Sequence, residues 1–280
     1  MKVSFIVLTY NRTDALLAVL RSLAKQCGPA HEVIIADDGS RADEVEMLRK
    51  ECPAFNCPVR HVWHPDTGFT AAQARNLGAS LAVADYLVFL DGDCVPGPHF
   101  VAEHTRLAEP GCFINGSRVL ISQRLTERVV RGAIDLPSLP VSFWIRAWLR
   151  GDSNKLLHLL RWPWRLFRVK QGFQWRGIRS CNLGVWRHDF VGVNGFDETF
   201  QGWGHEDADL VLRLSHTGIR RINGFMGTEV FHLWHQENKR DHESVNKERV
   251  LQRMKTSVTL AEKGLRQIDP QSSIKITHLH

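Results

Sequence analysis

Short apolar runs alternate with longer segments of helical periodicity over residues 3–90. Residues 3–9 are apolar almost throughout, which is typical of a strand buried on both faces. Residues 13–26 place leucine and valine at helical spacing and are followed by a Gly-Pro pair. The same criteria predict strands over 32–36, 58–63 and 86–90 and helices over 41–51 and 70–84. This alternation predicts an α/β protein with a mostly parallel sheet and right-handed crossovers.

The second half of the chain has a less regular pattern. It predicts strands over 113–121, 180–186, 219–222 and 228–231 and a helix over 205–217. Near the carboxyl terminus, apolar residues recur at steps of three and four, at Leu251, Met254, Val258, Ala261 and Leu265. This spacing predicts one amphipathic helix that packs on the body of the protein.

Three polar clusters follow predicted strands directly: residues 9–12, 37–40 and 91–93. Because ligands bind at the carboxyl ends of the strands in parallel sheets, we expect these clusters to converge on one crevice. Asp91 and Asp93, separated by a glycine, suit a hard divalent cation, although Asp-Gly also forms ordinary turns. Asp38 could accept hydrogen bonds from a base or ribose, and Arg75 could bind a diphosphate through its guanidinium.

A second group of candidate residues lies in the later part of the chain. Trp203 stands between two glycines and precedes the acidic residues Glu206 and Asp207. Acidic residues are favoured in a first helical turn, but a tryptophan between glycines suits a sugar platform, and an adjacent carboxylate can act as a general base. His232 and His235 end a predicted strand and are candidate ligands for a metal ion.

Composition narrows the class of protein. The chain has 280 residues, of which 43% are hydrophobic and 24% charged, and this excludes a disordered chain, a fibre and a coiled coil. No apolar stretch reaches the length of a membrane span, and the opening apolar run is too short for a signal peptide. The six cysteines form no Cys-x-x-Cys pair, so we expect reduced thiols, no structural zinc and a cytoplasmic location.

Positive charge is concentrated in residues 143–177, which we call the basic-aromatic segment. It holds eight lysines and arginines against one aspartate, and five of the nine tryptophans. Tryptophan beside lysine and arginine is typical of an element that docks on an anionic membrane. The alternative is a lid that packs over the acceptor site. The pattern alone leaves both open.

Several motifs, in order, resemble the donor half of family 2 glycosyltransferases of the GT-A fold. They are Thr9-Tyr10-Asn11-Arg12, Asp37-Asp38-Gly39-Ser40, Ala74-Arg75-Asn76-Leu77-Gly78 and Phe89-Leu90-Asp91-Gly92-Asp93. The later motifs resemble the carboxy-terminal segment of galactosyltransferase-like enzymes: Asn194-Gly195-Phe196-Asp197-Glu198 and Gly202-Trp203-Gly204-His205-Glu206-Asp207. The resemblance implies a single GT-A domain over residues 1–235, with a nucleotide-sugar half (1–110), an acceptor half (111–235) and a helical extension (236–280).

The resemblance implies an inverting transfer from a nucleotide sugar to a hydroxyl of a glycan or glycolipid acceptor. The donor would contact Thr9, Tyr10, Asn11, Arg12, Asp38, Arg75, Asp91 and Asp93. Asp93 and His232 would hold Mn²⁺ or Mg²⁺, with His235 as the second choice for the histidine. Asp207 would be the general base, Glu206 would position the acceptor, and Trp203 would stack on a sugar.

The nucleotide is expected to be UDP, with dTDP as an alternative, and the product to be lipopolysaccharide or another surface polysaccharide. A sugar nucleotidyltransferase is a second function, but it would need a glycine-rich signature and a lysine where residues 9–12 stand. A nucleic-acid-binding module is a third, since arginine and tryptophan can stack on bases. Two acidic clusters at one crevice oppose that function, and we expect no nucleic acid partner.

Overall fold

The computed structural model describes residues 1–162, 167–170, 172–174, 177–236, 243–268 and 274–279. The strands are β1 (Val3–Thr9), β2 (His31–Asp37), β3 (Val59–Trp63), β4 (Tyr86–Asp91), β5 (Cys94–Pro96), β6 (Cys112–Asn115), β7 (Ser117–Leu120), β8 (Val169–Lys170), β9 (Asn182–Trp186), β10 (Arg220–Asn223), β11 (Glu229–His232) and β12 (Lys275–His278). The α-helices are α1 (Thr13–Ala24), α2 (Ala42–Glu51), α3 (Ala71–Leu81), α4 (Phe100–Leu107), α5 (Gln123–Val130), α6 (Val141–Leu149), α7 (Arg187–Gly192), α8 (Glu206–His216) and α9 (Glu243–Arg253). Short 3₁₀ turns lie at Leu136–Ser138, Leu157–Leu159 and Leu265–Gln267.

A large mixed sheet organises the described residues, in the order β12-β3-β2-β1-β4-β9-β6-β10-β8. Strands β1, β2, β3, β4, β6 and β10 run in one direction, and β8, β9 and β12 run in the other. The predicted α/β class with a mostly parallel sheet is therefore confirmed. The structure also confirms the predicted strands and helices of residues 3–90, with small shifts of their ends.

The sheet is covered on both faces. Alternate residues of β1 enter different apolar clusters: Phe5 and Val7 contribute to one, and Ile6 contributes to the other. Both clusters are closed by helices, which explains why β1 is apolar at nearly every position rather than at every second one.

The carboxyl ends of the central strands meet at one edge, as predicted. Thr9 pairs with Asp37, and Leu8 pairs with Asp91. Gly92 N donates a hydrogen bond to Leu8 O at 2.6 Å, and a Cβ at Gly92 would lie 2.7 Å from the same oxygen. A glycine is therefore required where the chain turns out of β4.

A second sheet of three strands, β5-β11-β7, stands beside the first. The prediction of one strand over 113–121 is wrong, because the chain leaves the large sheet after β6 and enters the small sheet as β7. Gly116, between them, donates from N to Asn182 O at 2.8 Å, and a Cβ there would lie 2.0 Å from Asn182 Cγ. This close approach forces the break.

The carboxyl-terminal helix is shorter than the apolar spacing predicts. Helix α9 ends at Arg253, so the predicted continuation through Val258, Ala261 and Leu265 is wrong. After α9 the chain packs on the body in irregular form, with Ala261 N and Leu265 N donating to the carbonyls of Val193 and Asn194. Strand β12 then pairs antiparallel with β3 at the edge of the large sheet.

A buried ion-pair network fixes helix α8. Arg213 is fully buried, and its Nε donates to Asp209 Oδ2 at 2.8 Å. Arg253 Nη1 from α9 lies 2.6 Å from Asp209 Oδ1 and 2.8 Å from Asp197 Oδ2. The network thereby ties α8 to α9 and to Asp197, which lies between α7 and α8. None of the helices in the described part of the chain combines the length and apolar character that a membrane crossing requires.

Candidate functional site

The first part of the site surrounds Asp38, after β2. Asp38 is buried, its Oδ2 accepts a hydrogen bond from Thr70 N at 3.0 Å, and its Oδ1 lies 3.3 Å from His64 Nε2. Tyr10 is about half exposed (47%), and its hydroxyl donates to Asp66 Oδ2 at 3.0 Å. An exposed aromatic ring thus stands near a buried carboxylate, a combination that suits a planar base.

The loop after β1 is held in place by its neighbour after β2. Asn11 N donates to Ser40 Oγ at 2.9 Å, and Asn11 Oδ1 accepts from Arg41 N at 2.9 Å. Asn11 itself adopts a positive φ of 49°, a conformation that asparagine tolerates better than most residues. The three polar clusters predicted to converge are therefore joined by hydrogen bonds and pairing.

Arg75 connects the two halves of the site. It is buried on α3, with Nη2 2.8 Å from Asp91 Oδ1 and Nη1 3.2 Å from Glu206 Oε1. Burial opposes its charge, but the two carboxylates raise the pKa of Arg75 above its usual value. Arg75 therefore stays charged and holds the end of β4 against the first turn of α8.

Asp207, the candidate general base, lies in the first turn of α8. Its Oδ2 accepts a hydrogen bond from Ser180 N at 3.2 Å. Burial and the neighbouring carboxylate of Glu206 raise the pKa of Asp207 to about 7, against an ordinary value of 3.8. A carboxyl group with a pKa near the working pH can accept a proton and release it again.

The loop before α8 has an unusual backbone. Gly202, Gly204 and His205 have φ values of 69°, 104° and 73°, so three residues of this loop lie in left-handed conformations. Trp203 is partly exposed between them. Glycine adopts such angles without strain, so the strain is confined to His205. The sugar platform at Trp203 stays a prediction.

Asp93 is surrounded by candidate metal ligands. His232 Nε2 lies 3.9 Å from Asp93 Oδ1, and His235 Nε2 lies 3.4 Å from Asp93 Oδ2. Neighbouring ligands of an octahedral ion with bonds of about 2.1 Å are about 3 Å apart, so small adjustments would bring these atoms onto one ion. Arg12 Nη1 lies 3.5 Å from Asp93 Oδ2 and places a positive charge on the same carboxylate.

Cys94 completes a compact group with Asp93 and His232, whose donor atoms lie within 4.8 Å of one another. The thiol is fully buried, and burial together with a hydrogen bond to Cys181 raises the pKa of Cys94 well above its usual value. A protonated thiol is a poor ligand for a hard cation. The carboxylate and the imidazoles are therefore the donors that fit Mn²⁺ or Mg²⁺.

The basic-aromatic segment divides into two parts. On α6, Trp144 is buried and stacks on Phe231 with ring centroids 4.6 Å apart, whereas Ile145, Trp148 and Leu149 are exposed. Arg168, one of the eight cations of the segment, is buried, and its guanidinium donates to backbone carbonyls, including Asn223 O. Other residues of the segment lie outside the described part of the chain, among them Pro163, Trp164, Arg165, Trp175 and Arg176.

Some residues near the site were not predicted from the sequence. His64 follows β3 and contacts Asp38, and the position of a polar residue just after a strand is a signal that could have identified it. Arg118 lies on β7 of the small sheet, and Arg179 lies shortly before β9. The sequence offers no signal for them, because the break at Gly116 decides where they lie.

Solved structures with the same fold are similar to this chain over most of its length. S. aureus TarS residues 1–349, solved with UDP-GlcNAc, is similar with a TM-score of 0.62 and 14% identity, over 95% of this chain and 69% of that chain. A mannosyltransferase from Pyrobaculum calidifontis, solved with GDP-Man and Mn²⁺, has a TM-score of 0.54 and 15% identity, over 89% of this chain and 61% of that one. At these identities the likeness establishes the fold, a single GT-A domain.

Sequence comparisons identify the family. Residues 4–172 match the model described as glycosyl transferase family 2, and residues 167–236 match the one described as N-terminal domain of galactosyltransferase. Validoxylamine A glucosyltransferase of Streptomyces hygroscopicus is 30% identical over 77% of this chain and 52% of its own length. Hyaluronan synthase of Pasteurella multocida is 30% identical over 84% of this chain and 24% of its own length. The chain thus spans about half or less of these relatives. By these matches the chain belongs to glycosyltransferase family 2.

Proposed function

We propose that this protein is a metal-dependent inverting glycosyltransferase, which moves a sugar from a nucleoside diphosphate to a hydroxyl of a glycan or glycolipid. The observation that carries the proposal is the Asp91–Arg75–Glu206 bridge, which links the Asp-Gly-Asp turn to the helix that bears Asp207. A donor-binding turn and a candidate base are thus held at one edge of the sheet.

The nucleotide would lie along the loops after β1 and β2. Tyr10 would stack on the base, Asp38 would accept its hydrogen bonds, and Thr9, Asn11 and Arg12 would complete the pocket. Asp91 would contact the ribose. TarS was solved with UDP and with UDP-GlcNAc, which supports a UDP-sugar donor, while dTDP remains the alternative.

The metal would be held by Asp93 and His232, with His235 beside them. A bound Mn²⁺ or Mg²⁺ would neutralise the charge on the departing diphosphate. Burial lowers the pKa of His232, which favours the neutral imidazole that can act as a ligand. Arg12, close to Asp93, would add a second positive charge on the diphosphate side.

The acceptor would approach from the side of α8. Asp207 would take the proton of the acceptor hydroxyl, and the oxygen would form a bond to the anomeric carbon. The nucleoside diphosphate would then leave with the electrons of the broken bond. Glu206, oriented by Arg75, would hold the acceptor, and Trp203 would stack on a sugar ring. Arg75 itself has both terminal nitrogens on carboxylates, so a direct contact with the donor stays a prediction.

A thermal-shift screen tests this function. UDP, dTDP and GDP are added with Mn²⁺, and the expected result is a clear rise in Tm for one of them. Ligand at 100 times its Kd stabilises a protein by about 2.7 kcal/mol. Slow metal-dependent hydrolysis of the matching nucleotide sugar would separate this function from a nucleic-acid-binding module. Formation of a nucleotide sugar from a nucleoside triphosphate would instead indicate a nucleotidyltransferase.

We further infer that the exposed face of α6 docks on an anionic membrane, where a lipopolysaccharide or other lipid-linked acceptor would be presented. Ile145, Trp148 and Leu149 are exposed there next to Arg146 and Arg150. Charges near an anionic surface contribute about 1 kcal/mol each. Co-sedimentation with vesicles containing phosphatidylglycerol should weaken with salt and in the double variant Arg146→Glu/Arg150→Glu. Equal binding to neutral and anionic vesicles would instead favour the alternative, in which the segment packs as a lid over the acceptor site.

A further inference from the structure

Arg118 and Arg179, which we call the arginine pair, form no ion pair with a carboxylate among the residues that the structure describes. Both are partly buried. The buried arginines Arg75 and Arg213 each contact a carboxylate, that of Asp91 and that of Asp209. Taking a charge out of water without a partner is costly. The positive charge of the arginine pair is therefore available to an anion from outside the chain.

Arg118 lies on the same face of the small sheet as the metal-site residues. Strand β7 pairs in parallel with β11, with Val119 opposite Phe231 and Leu120 opposite His232. Arg118 is opposite Val230, which stands two residues before His232 on β11. Because side chains alternate along a strand, Arg118 and His232 belong to the same face of the small sheet.

Arg179 is fixed beside the candidate base. Its N donates to Asn115 Oδ1 at 3.3 Å, and the next residue, Ser180, donates from N to Asp207 Oδ2 at 3.2 Å. Burial and then the charge of Arg118 lower the pKa of Arg179, so the two guanidinium groups repel each other across a short distance. One member of the arginine pair thus lies on the His232 face of the small sheet, and the other is next to Ser180, whose backbone binds Asp207.

The nearby carboxyl groups do not cancel this charge. Lys155 Nζ donates to Arg118 O at 2.7 Å and adds a third cation, which Glu229 partly offsets. Burial raises the pKa of Glu229 to about 7, and Asp207 has a pKa of about 7 as well. Both carboxyl groups are therefore partly protonated at neutral pH, and the region stays positive.

We propose that Arg118 and Arg179 bind a carboxylate or phosphate group on the sugar part of a substrate, so that this transferase acts on an acidic sugar as donor or as acceptor. The proposal rests on the proposed function, since it assumes that the donor sugar and the acceptor hydroxyl meet between Asp93 and Asp207. A guanidinium binds both kinds of anion bidentately. The arginine pair lies at the sugar end of the site, whereas Asp38 and Tyr10 stand where the base would bind.

The donor arm of the test compares UDP, UDP-glucose and UDP-glucuronate as probes, each with Mn²⁺, by titration calorimetry. The acceptor arm compares transfer to glucosides with transfer to glucuronides and to glucose 6-phosphate. Both arms use the wild type, Arg118→Gln, Arg179→Gln and the control Arg220→Gln, which removes an exposed arginine of β10. Far-ultraviolet circular dichroism checks that every variant is folded.

In one arm, the wild type should prefer the acidic probe to the neutral one by about tenfold to a hundredfold, because a hydrogen bond to a charged group has that effect on affinity. Arg118→Gln and Arg179→Gln should remove this preference and leave the Kd of UDP unchanged, and Arg220→Gln should change neither. Preference in the donor arm identifies the donor sugar, and preference in the acceptor arm identifies the acceptor.

Two results would overturn this proposal and leave the proposed function intact. In the first, the wild type binds UDP but prefers the acidic probe in neither arm. In the second, both variants weaken UDP itself as much as UDP-glucuronate, which would place the arginine pair on the diphosphate. If the wild type binds no nucleoside diphosphate at all, the proposed function fails, and this proposal fails with it.

Discussion

The guanidinium of Arg75 lies 2.8 Å from Asp91 Oδ1 and 3.2 Å from Glu206 Oε1, so one buried cation holds together two carboxylates from distant parts of the chain. Asp91 ends β4, and Glu206 begins α8. Without the cation, the two carboxylates would repel each other at the same place. Arg75 of α3 therefore ties the end of β4 to the first turn of α8.

Replacement of Asp93 tests the metal site. Asp93→Ala should abolish the increase in UDP affinity that Mn²⁺ produces, because the carboxylate is the oxygen donor of the group. His232→Ala should weaken Mn²⁺ binding more than His235→Ala, since His232 is the more buried of the two. Titration calorimetry with Mn²⁺ and UDP gives both values.

Asp85→Ala, at an exposed position before β4, is the matched control for Asp93→Ala. An unchanged Mn²⁺ dependence in Asp93→Ala would show that the assignment is wrong.

Asp207→Asn should separate binding from transfer. Loss of a general base lowers the rate by about 10²–10⁴-fold, while binding of UDP with Mn²⁺ should be kept because Asp207 acts on the acceptor. Initial rates of transfer and calorimetry with UDP measure the two effects. Retained transfer with lost donor affinity would reverse the assignment and make Glu206 the better candidate.

The same variant should be more stable than the wild type at high pH. The folded chain keeps the proton of Asp207 up to about pH 7, against an ordinary pKa of 3.8, so the wild type loses stability as pH rises through this window. Asparagine does not ionise. The difference in Tm between Asp207→Asn and the wild type should grow from pH 5 to pH 8 by at least about 2 °C. Equal differences at both pH values would contradict the raised pKa.

Glu206→Gln should shift the pH profile of transfer. The carboxylate of Glu206 is, after burial, the cause that raises the pKa of Asp207, so its removal should move the acidic limb to lower pH. Glutamine keeps an oxygen that can accept from Arg75. The measurement is kcat/KM between pH 5 and pH 9. Glu248→Gln on the exposed side of α9 is the control, and an acidic limb that stays in place would exclude this coupling.

Arg213→Leu tests the network beneath α8. The substitution leaves Asp209 buried with only Arg253 as a partner, and breaking a buried pair costs about 3–5 kcal/mol. The free energy of unfolding from urea denaturation measures the loss. Arg128→Leu on the exposed face of α5 should change it by less than about 0.5 kcal/mol. The double variant Arg213→Leu/Asp209→Leu should recover part of the loss, and no recovery would mean that packing, not charge, holds α8.

The sequence predicts the first half of the fold well because its signals are local. The apolar runs of β1 and β4, and the polar turns after them, follow directly from burial on both faces and from the ends of parallel strands. Convergence of Thr9, Asp38 and Asp91 could be inferred because all parallel strands end at the same edge. The order of these motifs along the chain then indicates glycosyltransferase family 2.

The second half depends on contacts that local patterns do not contain. Residues 113–121 have the composition of one strand, but the close approach of Gly116 to Asn182 divides them between two sheets. The apolar positions after Arg253 have helical spacing, but Ala261 and Leu265 use their backbone to bind the loop at Val193 and Asn194 instead. The sequence around Arg168 predicts an exposed cation, and only the tertiary structure shows that its guanidinium binds carbonyl oxygens. The spacing of apolar residues predicts which side of an element is buried, but it does not predict which other part of the chain will cover that side.

Strand β12 has a consequence for the way this protein is made. It pairs with β3, Lys275 opposite Trp63, so the edge of the sheet stays open until the ribosome has produced the residues between them. At about 5–20 residues per second this takes on the order of 10–40 s. During that time the row of free backbone groups on β3 can pair with another nascent chain. Synthesis of β12 removes this exposed edge, and with it the opportunity for pairing between nascent chains.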